Sequence, residues 1–317
     1  MLTVVVLTYD SSRTVDACLD SLAAQDPPPD EILVVDDDST DDTLTRVEAA
    51  RRRHGLPLRT VRNGAHNISR GRNLGLDAAT GDIVAFLDSD AVATPGWAAG
   101  LRSAFAADPD VAVVGGAVEA VHASAFAEAV ALNDETVRDL FTRGELLVSG
   151  CNMALRPDLL GGERFDPSWV HAEDVEYVDR IGRTHRWAVT PGARVRHESR
   201  ADPRGYLRQM YRYGLWKVRY TLTTGKVRPV DYVPTLVFLA ALVLAPATPW
   251  ALLGYPALAV AETVFVAGYR RAPARLWGRM LLGWLVKNTG WGAGVLVGLA
   301  ERAALALSVR RRPAWAR

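Results

Sequence analysis

The chain has 317 residues, 49% hydrophobic and 23% charged, with a formal net charge of +1. That length can bury a large core, or one domain plus an appendage, and the near-neutral balance makes no case for nucleic-acid binding. Cys18 and Cys151 lie far apart without ligand-like spacing, so they are expected as small buried hydrophobes in a reducing compartment rather than as a disulfide or zinc site.

Met1 to Leu7 runs straight into a strand pattern with no basic n-region, so no cleavable signal is expected and the amino-terminal half should stay in the cytosol. Thr3 to Thr8 reads as a first buried strand. Asp10, Ser11 and Ser12 are candidate caps for a helix whose apolar positions are Val15, Cys18, Leu19 and Leu22, and Pro27 to Pro29 stop it. Glu31 to Val35 is a second strand, followed by an acidic run, Asp36 to Asp42, that supplies caps for a helix reaching about His54. Leu58 to Val61 is a short third strand. Asn67 to Gly75 reads as a glycine-containing loop feeding a short helix.

Ile83 to Leu87 is then an apolar run of strand length that ends in Asp88-Ser89-Asp90. In an open α/β sheet this puts two carboxylates beyond the strand's carboxyl end, where such sheets bind ligands. Residues i and i+2 of an extended segment project the same way, so both can face one hard cation. The alternation of strands and helices signals a parallel sheet of nucleotide-binding type. No Gly-x-Gly-x-x-Gly opens the first helix and no Walker lysine motif is present, which disfavours a dinucleotide oxidoreductase or a P-loop enzyme. Acidic groups at two strand ends, Asp36/Asp37 and Asp88/Asp90, cannot cradle phosphates directly. They call for a bridging cation, or for hydrogen bonds from a base or ribose to the first pair.

Past Pro95 the pattern gives a helix to about Ala107, a strand from Val111 to Val114, and an amphipathic stretch from Ser124 to Phe141. Val148 to Arg156 is a turn into a strand. Trp169 to Glu176 opens a helix with Val175, Val178 and Ile181 facing inward, where Asp174 is either a cap or a working carboxylate. Val189 to Val195 is a further strand, leading to His197.

Beyond His197 the composition changes. Tyr206 to Tyr220 is basic and aromatic, with Leu207, Tyr211, Leu215, Val218 and Leu222 on one helical stripe and Arg208, Arg212 and Arg219 off it, as in helices at a bilayer interface. Tyr232 to Ala245 and Trp250 to Gly268 are apolar, except for Glu262, and Pro246 to Pro249 could turn between them: a hairpin crossing a membrane twice is expected. Lys226 and Arg228 before it, and Arg270, Arg271, Arg275 and Arg279 after it, put both ends on the cytosolic side. Leu281 to Leu307 is a third span or an interfacial helix, and the basic tail Arg310 to Arg312 suits a cytosolic end.

The ordered set Val4 to Asp10, Cys18 to Leu22, Glu31 to Asp41, Gly71-Arg72-Asn73-Leu74-Gly75, Phe86 to Ala91 and Glu173 to Glu176 resembles the family 2 inverting glycosyltransferases of GT-A fold over roughly residues 2 to 200. The resemblance implies an α/β fold, a Rossmann-like mixed sheet flanked by helices, to which the apolar runs after His197 add a C-terminal membrane-associated helical region. It implies that Thr8 and Asp37, with Asp36 beside them, hold the nucleobase and ribose of a nucleotide-sugar. Arg72 would lie against the nucleotide, Asp88 would contact ribose or metal, and Asp90 would ligate Mg2+ or Mn2+. Asp174 would be the general base, and His197 would help hold metal or diphosphate. Asp10 and Asp38 stand where many members carry Asn and Gly. Gln209-x-x-Arg212-Tyr213 is close to the Gln-x-x-Arg-Trp of processive polysaccharide synthases, and the tail is similar to bacterial exopolysaccharide glycosyltransferases of the succinoglycan-pathway type.

The expected organisation is a catalytic domain over 1–200, an interfacial helix and linker over 201–228, and membrane helices over 229–317. The expected activity is an inverting hexosyl transfer at the inner (cytoplasmic) membrane, on its cytosolic side, to a lipid-linked or membrane-proximal acceptor. Glu173, Gln209 and Arg212 are candidates for the acceptor or membrane side. The rivals are a processive synthase, a polyprenyl-phosphate sugar transferase and a catalytically silent membrane binding module.

Overall fold

The apolar run at the amino terminus becomes β1 (Leu2–Thr8), which is buried along nearly its whole length and therefore takes an interior place in an eight-stranded mixed sheet. A computed structural model describes residues 1–141, 148–198, 202–227 and 232–310. The further strands are β2 (Glu31–Asp36), β3 (Leu58–Arg62), β4 (Ile83–Asp88), β5 (Ala91–Ala93), β6 (Val111–Val121), β7 (Asn152–Leu155) and β8 (Arg186–Glu198), in the order β3-β2-β1-β4-β7-β6-β8-β5. β3, β2, β1 and β4 run parallel, β7 is antiparallel to both β4 and β6, and β8 lies parallel to β6. The expected α/β class with a mixed sheet holds. β6 and β8 are longer than the periodicity suggests, because β6 continues through Gly115 and Gly116 at a register shift.

Residues Met1–Val121 and Gly144–Glu198 form one compact unit, and His122–Arg143 and Ser199–Arg317 form a second. In the first unit one face of the sheet buries Val4, Val6, Leu19, Trp97 and Phe105, and the other buries Val5, Leu33, Phe86, Phe165 and Tyr177. The helices α1 (Val15–Ala23), α2 (Thr43–His54), α3 (Ile68–Ala78), α4 (Trp97–Ala107) and, after α5 (Ala125–Phe141), α6 (Glu173–Ile181) flank it. Three local expectations change. Asn67 to Gly75 is mostly helix, since its glycines let α3 lie hard against β1: a Cβ on Gly71 would come within 2.8 Å of Leu7, and one on Gly75 within 2.6 Å of Val5. Asp10 caps no helix; its carboxylate instead accepts the backbone N–H of Thr40 at 2.8 Å and so ties the β1 and β2 loops together. In α6, Val175 is exposed, whereas Tyr177 and Ile181 are buried.

The second unit holds α5, α7 (Pro203–Thr224), α8 (Val233–Leu244), α9 (Gly254–Tyr269) and α10 (Ala274–Arg310). The amphipathic stretch 124–141, counted by its sequence position among the first 200 residues, has its apolar face on these helices: Phe126 and Val130 pack with Tyr206 and Met210, and Ala129 packs with Val266, Leu276 and Met280. Lys287 pairs with Asp134 at 2.6 Å, and Arg270 with Asp139 at 2.7 Å. α7 buries Tyr206, Met210, Gly214 and Val218, while Leu207, Tyr211 and Leu222 of the expected stripe are exposed. The buried side shifts because α10 presents Gly290, Gly294 and Gly298 at four-residue intervals to the α7 backbone. A Cβ on Gly294 would stand 2.0 Å from the Tyr211 carbonyl oxygen.

Among the described residues one helical stretch, Pro249–Tyr269, is long and apolar enough to cross a bilayer. Its 21 residues reach about 31 Å, whereas the 12 of α8 reach about 18 Å against a hydrocarbon core of about 30 Å. The run 281–307 lies inside α10, a single helix of 37 residues. Arg228, Arg311 and Arg312 lie outside the described residues.

Candidate active site

The carboxyl ends of β1, β2 and β4, with the amino terminus of α6 and the end of β8, gather the polar side chains of the first unit. At the β1–β2 edge Thr8 and Asp36 are both buried. The Thr8 hydroxyl donates to Asp36 Oδ1 at 2.8 Å, and Ser39 gives its backbone N–H to Oδ2 at 3.0 Å and its hydroxyl to Oδ1 at 2.6 Å. Asp37 organises the loop after β3, where its Oδ1 accepts from Asn63 Nδ2 at 3.0 Å and from the N–H groups of Ala65 at 3.1 Å and His66 at 2.8 Å. Asp38 pairs with Arg62. Asp10 and Asp38 have φ of +45° and +61°. Such left-handed backbone suits Gly and Asn best, and Asp tolerates it by local hydrogen bonding.

At the end of β4 the three-residue β5 doubles back onto β8 and sets Ala91 opposite His197. This register carries the imidazole to the Asp-x-Asp: His197 Nε2 lies 3.2 Å from Asp90 Oδ1. Asp88, Asp90 and His197 each offer a ligand atom, all within 4.8 Å of one another. Two carboxylate oxygens and one imidazole nitrogen suit a hard or borderline divalent ion.

Asp174 comes from the first turn of α6, with Oδ2 accepting the Gly150 N–H at 2.8 Å and Oδ1 the Val175 N–H at 2.9 Å. Arg72 sits between the two groups of carboxylates, 2% exposed. Its Nη1 donates to the Gly150 carbonyl at 2.9 Å, and its Nη2 lies 3.1 Å from Glu173 Oε1 and 3.9 Å from Asp88 Oδ1. Burial pushes the Asp88 carboxyl up, and Asp90 and Asp174 add to this against Arg72 and His197. Burial pushes Glu173 up as well, against the pull of Arg72. Burial disfavours the ionised forms of these carboxyls, so a bound cation would stabilise them as carboxylates, a second reason why the donor set fits one. Both cysteines are free and buried. Burial, with nearby carboxylates, raises their thiols (Cys151 to about 12), so neither is a nucleophile at neutral pH.

Residues 3–160 match the family model for Glycosyl transferase family 2. This stretch is a family 2 glycosyltransferase domain. Its fold is the GT-A fold. It is similar to that of the mannosyltransferase PcManGT from Pyrobaculum calidifontis, solved in complex with GDP-Man and Mn2+, with a TM-score of 0.60 at 23% identity over 95% of this chain and 87% of that one. S. aureus TarS 1-349, solved in complex with UDP, has a TM-score of 0.50 at 20% identity over 96% of this chain and 91% of that one. At such identities the likeness speaks for the fold alone. No curated protein matches the chain in sequence.

The first unit therefore brings Asp88, Asp90, His197, Arg72, Glu173 and Asp174 into one cluster, with Thr8, Asp36 and Asp37 on the neighbouring strand ends. Gln209 and Arg212 lie on α7 in the other unit; Gln209 Nε2 donates to the Tyr213 hydroxyl at 3.2 Å. Sequence reasoning gave no role to Gly150, which binds Arg72 with its carbonyl and Asp174 with its N–H. A Cβ there would stand 2.5 Å from Arg72 Nη2, so close approach requires glycine. It also missed buried Asn152, which accepts from Trp97 Nε1 at 2.8 Å and donates to the Ala117 and Ala193 carbonyls, tying β7 to α4, β6 and β8. The string Ser149-Gly150-Cys151-Asn152, small and polar between apolar residues, was the available signal.

Proposed function

We propose that the chain is a membrane-anchored inverting glycosyltransferase that moves a sugar from a nucleotide-sugar, with Mg2+ or Mn2+, to a hydroxyl of a lipid-linked or membrane-proximal acceptor. The observation that carries this reading is the meeting of Asp88, Asp90 and His197 near Asp174, in the compact unit that contains the family 2 match over residues 3–160. The fold relatives lend support, since the PcManGT complex holds GDP-Man and Mn2+ and the TarS complex holds UDP.

Asp90, Asp88 and His197 would hold the cation, which when bound supplies positive charge to the departing diphosphate. Asp174 takes the proton of the acceptor hydroxyl as its oxygen bonds to the anomeric carbon. The bond from that carbon to the diphosphate oxygen breaks with its electron pair on the leaving group, and attack from the opposite face inverts the centre. Two backbone N–H groups orient the Asp174 carboxylate for this task. Thr8, Asp36 and Asp37 shape the strand ends on which the nucleoside rests.

The second unit supports the membrane part of the reading. Leu236, Val243, Trp250 and Phe265 stand exposed on and beside its apolar helices, where lipid would cover them. Arg271, Arg275 and Arg279 follow the stretch Pro249–Tyr269, a basic flank that suits the cytosolic side of a bilayer. α7 exposes Leu207, Tyr211 and Leu222 beside Arg208 and Arg212, a pattern suited to a headgroup layer.

A donor screen tests the proposal. Full-length protein in detergent, offered nucleotide-sugars and a membrane lipid extract, should release nucleoside diphosphate from one donor class, lose that release on chelation and regain it with Mn2+ or Mg2+. Release from no donor, or release indifferent to chelation, refutes it. A ladder of long products would favour a processive synthase, and activity on a bare lipid monophosphate would favour a polyprenyl-phosphate sugar transferase.

A further inference from the structure

Arg72 has a place that a donor contact does not need. Its guanidinium is enclosed, with the Phe86 and Phe165 ring centroids 5.4 Å and 5.6 Å from Cζ. Both Nη atoms are engaged by three separate pieces of chain: the Gly150 carbonyl before β7, Glu173 at the start of α6, and Asp88 at the end of β4. Gly150 in turn gives its N–H to Asp174. A route of direct contacts therefore runs from Asp88 through Arg72 to Glu173 and Gly150, and both of these fix Asp174, one as its neighbour on α6 and the other as its hydrogen-bond donor. α3 is clamped at the same spot. Asn73 exchanges two hydrogen bonds with the Phe165 backbone, at 2.8 Å and 2.9 Å, and the Ser69 hydroxyl donates to the Trp169 carbonyl at 2.5 Å, so the segment entering α6 is held from the helix that carries Arg72.

We propose that Arg72, gripping Glu173 and the Gly150 carbonyl, is a positioning residue that sets the carboxylate of Asp174 at a fixed place relative to the Asp88–Asp90–His197 cluster. This rests on the reading of Asp174 as the base. The planar fork matters because it reaches a carbonyl, a carboxylate of α6 and the flank of Asp88 at once; a lysine ammonium on a flexible stem would satisfy fewer of them. Glu173 is the handle by which α6 is held, not an acceptor contact, because it is buried against Arg72. The coupling also gives the cluster its order: the residues that would hold the cation and the residue that would take the proton share one rigid neighbour.

The test uses Arg72→Lys and Glu173→Gln in full-length protein, with two readouts. The first is hydrogen exchange, which needs no turnover: amides in 148–152 and 173–177, including the Gly150 N–H bonded to Asp174, should lose protection in both variants while those of β1 and β2 keep theirs. The second is a split of constants, in which kcat falls about 100-fold, as expected for a misplaced catalytic group, while affinity for Mn2+ and nucleoside diphosphate stays within about threefold of wild type. The double variant should cost little more than the worse single one, because both changes break the same link. Unchanged exchange together with unchanged kcat overturns the proposal. So does a loss of nucleotide affinity that accounts for the whole fall in kcat/KM, which would make Arg72 a donor contact. If the wild-type protein transfers no sugar at all, the reading of function fails and the exchange arm still decides whether Arg72 orders the Asp174 segment.

Discussion

Glu31 offers a sharp test of the idea that acids at the two rims of the sheet serve different ends. At the amino-terminal rim it accepts from Thr3 Oγ1 at 2.7 Å, from Thr80 through N–H at 3.0 Å and hydroxyl at 2.9 Å, and from Arg59 Nε at 2.8 Å. Burial opposes its charge, but these donors together hold its carboxyl down at about 2, from an ordinary 4.5. Because the folded-state value is depressed, the linked stability is complete above the unfolded value and is lost as pH falls through the folded one. That depression corresponds to about 3 kcal/mol near pH 7, falling to less than half of this at pH 3 and vanishing below pH 2. Glu31→Gln should therefore lower the unfolding temperature of the detergent-solubilised protein clearly at pH 7 and by less than half as much at pH 3. Mn2+ affinity should stay unchanged, because the residue lies at the opposite rim from Asp88. A deficit independent of pH, or no deficit at pH 7, would refute the linkage.

Asp90→Ala should abolish turnover by removing Mn2+ and diphosphate binding, measurable by titration calorimetry, whereas Asp174→Asn should cut kcat by roughly 10²–10⁴ with donor affinity near wild type. Equal loss of donor binding in both would contradict that division. Gly150→Ala places a methyl 2.5 Å from Arg72 Nη2 and should cost about 1–3 kcal/mol of stability by overpacking, along with most of the kcat; a variant with wild-type kcat would show that the site tolerates movement there. In α10, Gly294→Ala drives a Cβ to 2.0 Å from the Tyr211 carbonyl and should lower the unfolding temperature, while Gly278→Ala, with nothing within 4 Å, should leave it level or raise it. Identical shifts for the two would mean that α7 and α10 do not pack at the glycines.

Most strands, the place of Asp88 and Asp90 at a strand's carboxyl end and that of Asp174 at a helix start were legible because each depends on local pattern. What escaped depends on distant register or on which side of a helix meets what. His197 carried a role implied by the resemblance, but its meeting with Asp90 depends on β5 pairing with β8, and a three-residue strand leaves almost no periodic trace. The three adjacent acids Asp36, Asp37 and Asp38 look alike in sequence. Coordinates separate them by partner: Thr8 and Ser39 for the first, loop N–H groups for the second, Arg62 for the third. Gly71 and Gly75 suggested a loop, since nothing local says that a neighbouring strand demands their lack of a side chain. The partners of α5 were equally hidden, because an amphipathic helix announces an apolar face without naming what covers it.

The contrast between the rims follows from the same physics that makes the fold. Where Glu31 is saturated with donors, charge is stabilised and the group becomes structural. At the other rim, burial pushes Asp88 and Glu173 up, and Arg72 is shared among more carboxylates than it can satisfy. An arrangement kept for stability alone would gain by replacing such acids with apolar residues, because an unbalanced buried charge costs more than it returns. Their presence together, Asp88 at a strand end and Glu173 at the start of α6, fits the proposed binding of a cation there, and on the proposal for Arg72 the same side chain holds the Asp174 segment beside it.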